Sequence, residues 1–378
     1  MDSKRPSLMF VLGVAPRKIG GLEKFLRYLV IALDAAGWDS ILCFDGTIAP
    51  GFREYISYPF VTIESLDNQK NLGLSCAVEL WKLLRKHKPQ AFAYGFHGVM
   101  RSFPWLAKMA GCRQVIFNDR SSRPLGKKPV SLSLPKGILG RILTAPLTAT
   151  ISNSEFTRRM IDAMGVTSAH SYVVPNGVEV VNLDAGRGER FRKEYGFSKE
   201  EIVVTQVCWM VEMKGVITLL DAAALLLRKH AGVRFLLVGD GPELAQYQQY
   251  AAALGIGDAV TFTGLLNNPA LMGVYDASDI YCQSSLWQEA SGFAALEAMS
   301  FKLPVVASDT GGLAENIERE RSGILVPVGN HEAMYAALDR LICNPALRDS
   351  MGEAGYQRIL NKHRIEETAR SYANLLVN

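Results

Sequence analysis

Residues 285–299 read SLWQEASGFAALEAM. Glu289 and Glu297 stand eight positions apart with Ser291 and Gly292 between them. The preceding run, IYCQS, has the apolar character of a strand, and GFAALEAMSF has that of a helix. Ser291, Gly292, Phe293 and Ala294 then lie at the helix N-terminus, where unpaired N–H groups and the macrodipole favour an anion. Gly292 lets that anion approach the backbone. Glu297 sits about a turn inside the helix and Glu289 just before it. Two acids around a phosphate cradle suit a ligand with hydroxyls at both ends and phosphate between. A nucleotide sugar has that form. A helix cap followed by a surface glutamate accounts for this stretch equally well.

The same strand-to-helix alternation runs along the whole chain. Strands are expected at LMFVLGV, SILCF, AFAYG, RQVIFN, ATIS and SYVVP, and then at IVVTQVCW, VRFLLVG, VTFTG, IYCQ, PVVAS and GILVP. Helices such as LEKFLRYLVIALDAAG and GVITLLDAAALLLRKH separate them. Continuous apolar strands alternating with helices indicate parallel sheets covered on both faces. The rhythm breaks at PNGVEVVNLDAGRG, near residues 177–188. The expected fold class is α/β with two doubly wound domains, residues 1–180 and 181–360, and ligands at the carboxyl ends of the strands. The amphipathic end of the chain, residues 361–378, is expected to return to the first domain.

The chain has 378 residues, which suits two domains rather than one. No uncharged apolar run is long enough to span a bilayer. LMFVLGVA after Lys4 and Arg5 resembles the start of a signal peptide, but it lacks a cleavage-site pattern and leads into an amphipathic helix, so it reads as a first strand. The cysteines at 43, 76, 112, 208, 282 and 343 form no C-x-x-C pair. That suits a reducing cytoplasm and argues against zinc. Residues 1–180 carry 23 Lys and Arg against 13 Asp and Glu; the remainder carries 18 against 24. A half at +10 beside one at −6 suggests different partners. The stretch 118–141 reads as a long basic loop, with Arg120, Arg123, Lys127, Lys128, Lys136 and Arg141 interleaved with leucines. It suits phosphate or an anionic membrane surface. Nucleic-acid binding lacks a recognisable motif.

Taken together, ExxGFxxLEAM resembles the E-x7-E signature of retaining glycosyltransferases with the GT-B fold, family 4 in particular. GGLEKFLRYLVIALDAAGW, ISNSEFTRRMIDAMGV…VVPNGVEV, FLLVGDGPE, VTFTGLL and SDTGGLAENIERERSGILVPVGN resemble further family segments in the family's order. The resemblance implies two Rossmann-like domains, acceptor-binding first and donor-binding second. It implies that Glu297 binds the donor ribose and Glu289 the transferred sugar. Amides around Ser291, Gly292, Phe293 and Ala294 would hold the diphosphate, with Lys214 neutralising it. Gly20 and Gly21 would open a helix toward the same phosphates, Gly264 would lie near the base, and Gly239 and Gly241 would form a turn beside it.

Two departures stand out. The family's G-R-L, with its phosphate-binding arginine, is replaced by Cys208, Trp209 and Met210, which leaves Lys214 alone or helped by Arg17 or Lys18. NDRSS stands where many members carry a cleft histidine and is closer to an S-E-R-N variant. That puts Asp119 and Arg120 on the acceptor side, with His97 as a further candidate. No D-x-D occurs, so no metal site and no cofactor are expected. The implied activity is metal-independent transfer of a sugar, from a UDP-sugar by preference, to a saccharide or lipid-linked saccharide at the cytoplasmic face of the membrane. The alternatives are a sugar-nucleotide epimerase or phosphorylase of the same fold, a sugar-binding protein without activity, and a dehydrogenase, for which GVAPRKIGG lacks the required glycine pattern.

Overall fold

The computed structural model describes residues 5–16, 18–66, 74–124 and 134–377. The chain divides into two compact units. Unit 1 comprises Met1–Ser121, Lys127–Gly177 and Ile365–Asn378; unit 2 comprises Ser122–Gly126 and Val178–Arg364.

Unit 1 contains β1 (Ser7–Leu12), α1 (Gly21–Ala35), β2 (Asp39–Phe44), α2 (Pro50–Tyr55), β3 (Val61–Ser65), α3 (Leu74–His87), β4 (Ala91–Gly95), α4 (Phe103–Met109), β5 (Gln114–Asp119), α5 (Leu134–Thr144), β6 (Ala149–Ser152), α6 (Glu155–Ala163) and β7 (His170–Val173). Its seven-stranded parallel sheet has the order β3-β2-β1-β4-β5-β6-β7. Alternate residues of β1 face opposite ways. Leu8, Phe10 and Leu12 join the core under α1, and Met9 and Val11 join the core on the other face. Helix α1 buries Phe25, Leu26, Leu29, Val30 and Leu33, the stripe its apolar spacing requires.

Unit 2 contains α7 (Ala185–Glu194), β8 (Ile202–Val207), α8 (Val216–Leu227), β9 (Val233–Val238), α9 (Leu244–Ala253), β10 (Val260–Gly264), α10 (Pro269–Met272), β11 (Ile280–Gln283), α11 (Phe293–Ser300), β12 (Val305–Ser308), α12 (Gly311–Asn316), β13 (Gly323–Val326), α13 (His331–Ile342) and α14 (Pro345–Lys362). A six-stranded parallel sheet runs β10-β9-β8-β11-β12-β13. The last helix, α15 (Ile365–Val377), belongs to unit 1. Tyr372 on α15 meets Phe25 of α1 edge-to-face, ring centroids 5.2 Å apart.

Each sheet is a doubly wound α/β sheet. All twelve strand stretches read from the sequence are strands. β3 was not among them. It is an edge strand whose residues are half-buried or exposed, so VTIES lacks the apolar run that marked the others. The stretch 118–141 is not one loop, because β5 extends through Asp119 and α5 occupies its C-terminal part. Lys127 and Lys128 lie outside the described residues, as does Arg17.

Strand order reverses between β1 and β4 in unit 1 and between β8 and β11 in unit 2. Ligands of such sheets bind beyond the strand ends at these switch points. In unit 2 that directs attention to the segments following β8 and β11.

Candidate active site

After β8 the chain forms a single 3-10 turn, Glu212–Lys214, and reverses at Gly215. Gly215 has φ +65°, and a Cβ there would lie 1.9 Å from the Ser284 carbonyl oxygen. Only glycine satisfies both conditions. The Lys214 carbonyl accepts from the Gln206 amide at 3.1 Å and from the Ser284 hydroxyl at 3.1 Å. The lysine backbone is thereby tied to both switch-point strands. Its ammonium meets Oε1 of Glu289 at 2.5 Å.

Glu289 follows β11 and is 5 % exposed. A buried carboxylate needs donors, and this one has three. Lys214 and the Ser285 hydroxyl, at 2.7 Å, serve Oε1; the Ser122 hydroxyl, at 3.2 Å, serves Oε2. Two residues on, Ser291 is held by the Asn316 amide, which donates to its carbonyl at 2.5 Å. Gly292 caps α11 with φ +85°; a Cβ there would lie 2.8 Å from Leu313 and 3.3 Å from the Gln283 amide. Phe293 and Ala294 open α11, so the first-turn N–H groups project from a backbone with no side chain at its cap. Glu297 lies in the second turn and accepts from the Tyr275 hydroxyl at 3.0 Å. Burial and the Glu297 carboxylate hold that phenol well above its usual range, so it stays a donor.

Unit 2 therefore brings Lys214, Glu289, Ser291, Gly292, Phe293, Ala294 and Glu297 to one switch point. The arrangement presents a cation, a helix N-terminus and two acids on one sheet edge, which is chemistry for a phosphorylated polyol. Gly239 and Gly241 serve a different purpose. A Cβ at Gly239 would meet the Cys208 carbonyl at 1.8 Å, and one at Gly241 the Met210 carbonyl at 2.3 Å. They let the turn after β9 lie flat on Cys208–Met210, which Met210 N–H seals by donating to the Asp240 carbonyl at 2.9 Å. Gly264, with φ +70°, accepts from Gly239 N–H at 2.9 Å. Trp209 is 60 % exposed at this edge.

In unit 1, Gly20 caps α1, and Glu23 reaches back to accept its N–H at 3.0 Å, with Gly21 the first helical residue. The ring of His97, after β4, lies so close to Gly13 that a Cβ there would come within 2.7 Å of it, and it meets Phe103 edge-to-face at 5.5 Å. Burial, with Arg101 adding to it and Asp45 opposing, pushes this imidazole down to about 4. Asp119 is buried and accepts from Ser121 N–H at 3.1 Å.

Arg120, expected on the acceptor side, is buried in unit 1. Its guanidinium lies 3.9 Å above the Phe25 ring and 5.2 Å from that of Tyr372, and donates to Asn176 at 3.1 Å. It is 7 % exposed. β5 sends its even-numbered side chains to the face covered by α1 and α15, and Arg120 continues that alternation into the aromatic layer. Its guanidinium packs within that layer.

Sequence reasoning missed Ser122, Ser285, Tyr275 and Asn316. Ser122 closes the NDRSS stretch and Ser285 opens 285–299, but each of the four is a common residue whose value comes from its partner. Among the described residues, one group could hold a metal ion: His230, Asp339 and Cys343, at the ends of α8 and α13. Asp339 is already engaged by Lys229 at 2.8 Å and His230 at 2.5 Å, which lower its pKa.

Comparison with known proteins identifies the family. Residues 19–181 match the family described as Glycosyltransferase Family 4, and residues 188–358 match Glycosyl transferases group 1. The GDP-mannose-dependent alpha-(1-6)-phosphatidylinositol monomannoside mannosyltransferase of Mycobacterium tuberculosis is 23% identical over 388 residues, covering 98% of this chain and 97% of that protein. The alpha-D-kanosaminyltransferase of Streptomyces kanamyceticus is 31% identical over 183 residues, covering 48% of this chain and 47% of that one. The crystal structure of Anabaena Alr3699/HepE in complex with UDP superposes with a TM-score of 0.80 at 18% identity, over 98% of this chain and 99% of that one. With both units matched in order and the whole chain sharing the fold, this protein belongs to glycosyltransferase family 4 and is a GT-B glycosyltransferase that uses a nucleotide-sugar donor.

Proposed function

We propose that the chain is a retaining, metal-independent hexosyltransferase that moves a sugar from a UDP-sugar to a lipid-linked saccharide. The observation that carries the donor half is the Lys214–Glu289 pair beside the α11 N-terminus. The diphosphate lies against Lys214 and the amides of Gly292, Phe293 and Ala294. Glu297 takes the ribose hydroxyls, and Glu289 takes a hydroxyl of the transferred sugar. As the glycosidic bond breaks, the leaving diphosphate gains charge. Lys214 and the helix N-terminus stabilise it without reorganising. UDP is favoured as the nucleotide because the Anabaena relative is described with it.

The acceptor half rests on unit 1. Trp105 and Met109 of α4 and Ile138, Leu139 and Ile142 of α5 are exposed together, and the Trp105 indole donates to the Ile142 carbonyl at 2.8 Å. Exposed Lys108 and Arg141 stand among them. An apolar patch set with cations suits the interface of an anionic membrane, where each basic side chain contributes about 1 kcal/mol. The mycobacterial relative's name likewise denotes a lipid acceptor. On this reading the enzyme works at the inner face of the plasma membrane, in envelope or exopolysaccharide synthesis.

A thermal-shift screen of UDP-, GDP-, ADP- and dTDP-sugars tests the donor assignment. Stabilisation by a UDP-sugar, followed by transfer to a lipid-linked acceptor, is the expected result. Turnover of the donor with no acceptor present would favour an epimerase. Co-sedimentation with anionic vesicles tests the surface. Binding at low salt should fade at high salt, and should be lost in Trp105→Ala with Ile142→Asp. Equal recovery with neutral and anionic vesicles would refute it.

A further inference from the structure

We propose that Ser122 is a positioning residue for the transfer reaction, orienting Oε2 of Glu289 toward the transferred sugar. The inference deepens the function proposed above and rests on its placement of that sugar at Glu289.

The argument starts from the two oxygens of one carboxylate. Oε1 of Glu289 is doubly engaged, by the Lys214 ammonium at 2.5 Å and the Ser285 hydroxyl at 2.7 Å. Oε2 has one donor, the Ser122 hydroxyl at 3.2 Å. A carboxylate oxygen accepts two hydrogen bonds readily, so Oε2 is the atom with capacity for a sugar hydroxyl. What holds Oε2 in place then decides where that hydroxyl binds.

Ser122 is built to hold it. Its oxygen accepts the Ala290 N–H at 3.2 Å. That bond occupies a lone pair and leaves the hydroxyl hydrogen to point at Oε2. The serine itself is fixed by its neighbours. Arg123 and Gln288 exchange both backbone hydrogen bonds, Arg123 N–H to the Gln288 carbonyl at 2.9 Å and Gln288 N–H to the Arg123 carbonyl at 2.8 Å. The Gln288 side-chain amide donates to the Pro124 carbonyl at 3.2 Å. A short antiparallel pairing thus holds residues 122–124 on residues 288–290, although 167 positions separate Ser122 from Glu289. A solvated surface serine needs none of these contacts. This one has its acceptor and its donor both committed to the segment that carries Glu289.

The role predicts a split between chemistry and nucleotide binding. Ser122 touches no group placed at the diphosphate or the ribose. Ser122→Ala should lower kcat with the UDP-sugar about tenfold while leaving the Kd of UDP, read by calorimetry, within twofold of the wild type. Ser122→Thr keeps the hydroxyl and should recover most of the loss. Wild-type kcat in Ser122→Ala overturns the proposal, and so does an equal weakening of UDP binding, which would mean that the segment only supports the fold. If the wild-type protein itself turned over no nucleotide sugar, the function proposed above would fail separately. The contact is then decided by a crystal structure of Ser122→Ala. A Glu289 carboxylate rotated from its position in the parent sustains the role, and an unmoved one overturns it.

Discussion

Glu297 and Glu289 look alike in the sequence, yet their surroundings separate their roles. Glu297 has Tyr275 as its anchor, and under the proposed function it takes the ribose hydroxyls, so Glu297→Ala should weaken UDP binding by about 1–3 kcal/mol, the cost of leaving buried hydroxyl partners unpaired. Calorimetry with UDP reads this directly, and unchanged affinity would refute the ribose assignment. Glu289→Ala should instead depress kcat more than UDP affinity, since its partners are Lys214 and two serines and the proposed function sets the transferred sugar against it.

His97 makes a prediction of a different kind. Its folded pKa is about 4, below the roughly 6.5 of an unfolded histidine. Between those values the unfolded chain binds a proton that the folded chain does not. Its contribution to stability is therefore complete above about pH 6.5 and is lost as pH falls toward 4. His97→Gln should flatten the fall in denaturation midpoint over that window. An unchanged pH dependence would show that the imidazole is not held neutral.

At the scale of elements, the donor edge depends on turns that admit only glycine. Gly215→Ala combines a left-handed φ with a Cβ placed 1.9 Å from a carbonyl oxygen. It should cost roughly 2–4 kcal/mol, at the upper end for single substitutions, and should displace Lys214 along with the turn. Denaturant unfolding gives the stability and UDP affinity gives the displacement. A variant as stable as its parent would mean that the 3-10 turn relaxes without strain. The strand-helix alternation of both units was legible because each strand is an uninterrupted apolar run and each helix carries an apolar stripe. β3 was not, because an edge strand half in solvent has no such run.

At the scale of the whole molecule, the end of the chain completes the core of its beginning. Helix α15 supplies Ile365, Tyr372, Ala373 and Leu376 to the cluster built on β1 and α1. Tyr372→Ala should therefore destabilise unit 1 by about 3–5 kcal/mol. It also removes one of the two rings beside Arg120. Scanning calorimetry should show a transition lowered for unit 1 with that of unit 2 little changed. A uniform shift of a single transition would mean that the two units melt as one. Activity after exhaustive treatment with EDTA is a further expectation for the whole enzyme, since the proposed function sets the leaving group's charge against Lys214 and a helix N-terminus. Loss that Mg²⁺ or Mn²⁺ restores would overturn it.

The sequence by itself determined the fold class, the family, and the segment 285–299 with its two acids. The fold class follows from local periodicity, the family from the resemblance of motifs in order along the chain, and the two acids from a short local stretch. Tertiary structure alone decided what the polar residues do. Arg120 and Lys214 are equally basic in the sequence, but Arg120 lies over Phe25 and beside Tyr372, whereas Lys214 meets Glu289. Ser122 is one serine among many until its segment pairs with Gln288 and its hydroxyl reaches Glu289. The reason is physical. Apolar burial is read from pattern because it is non-directional, while a hydrogen bond needs a donor within about 3 Å of its acceptor. Only the folded chain brings residues so distant in sequence to that distance.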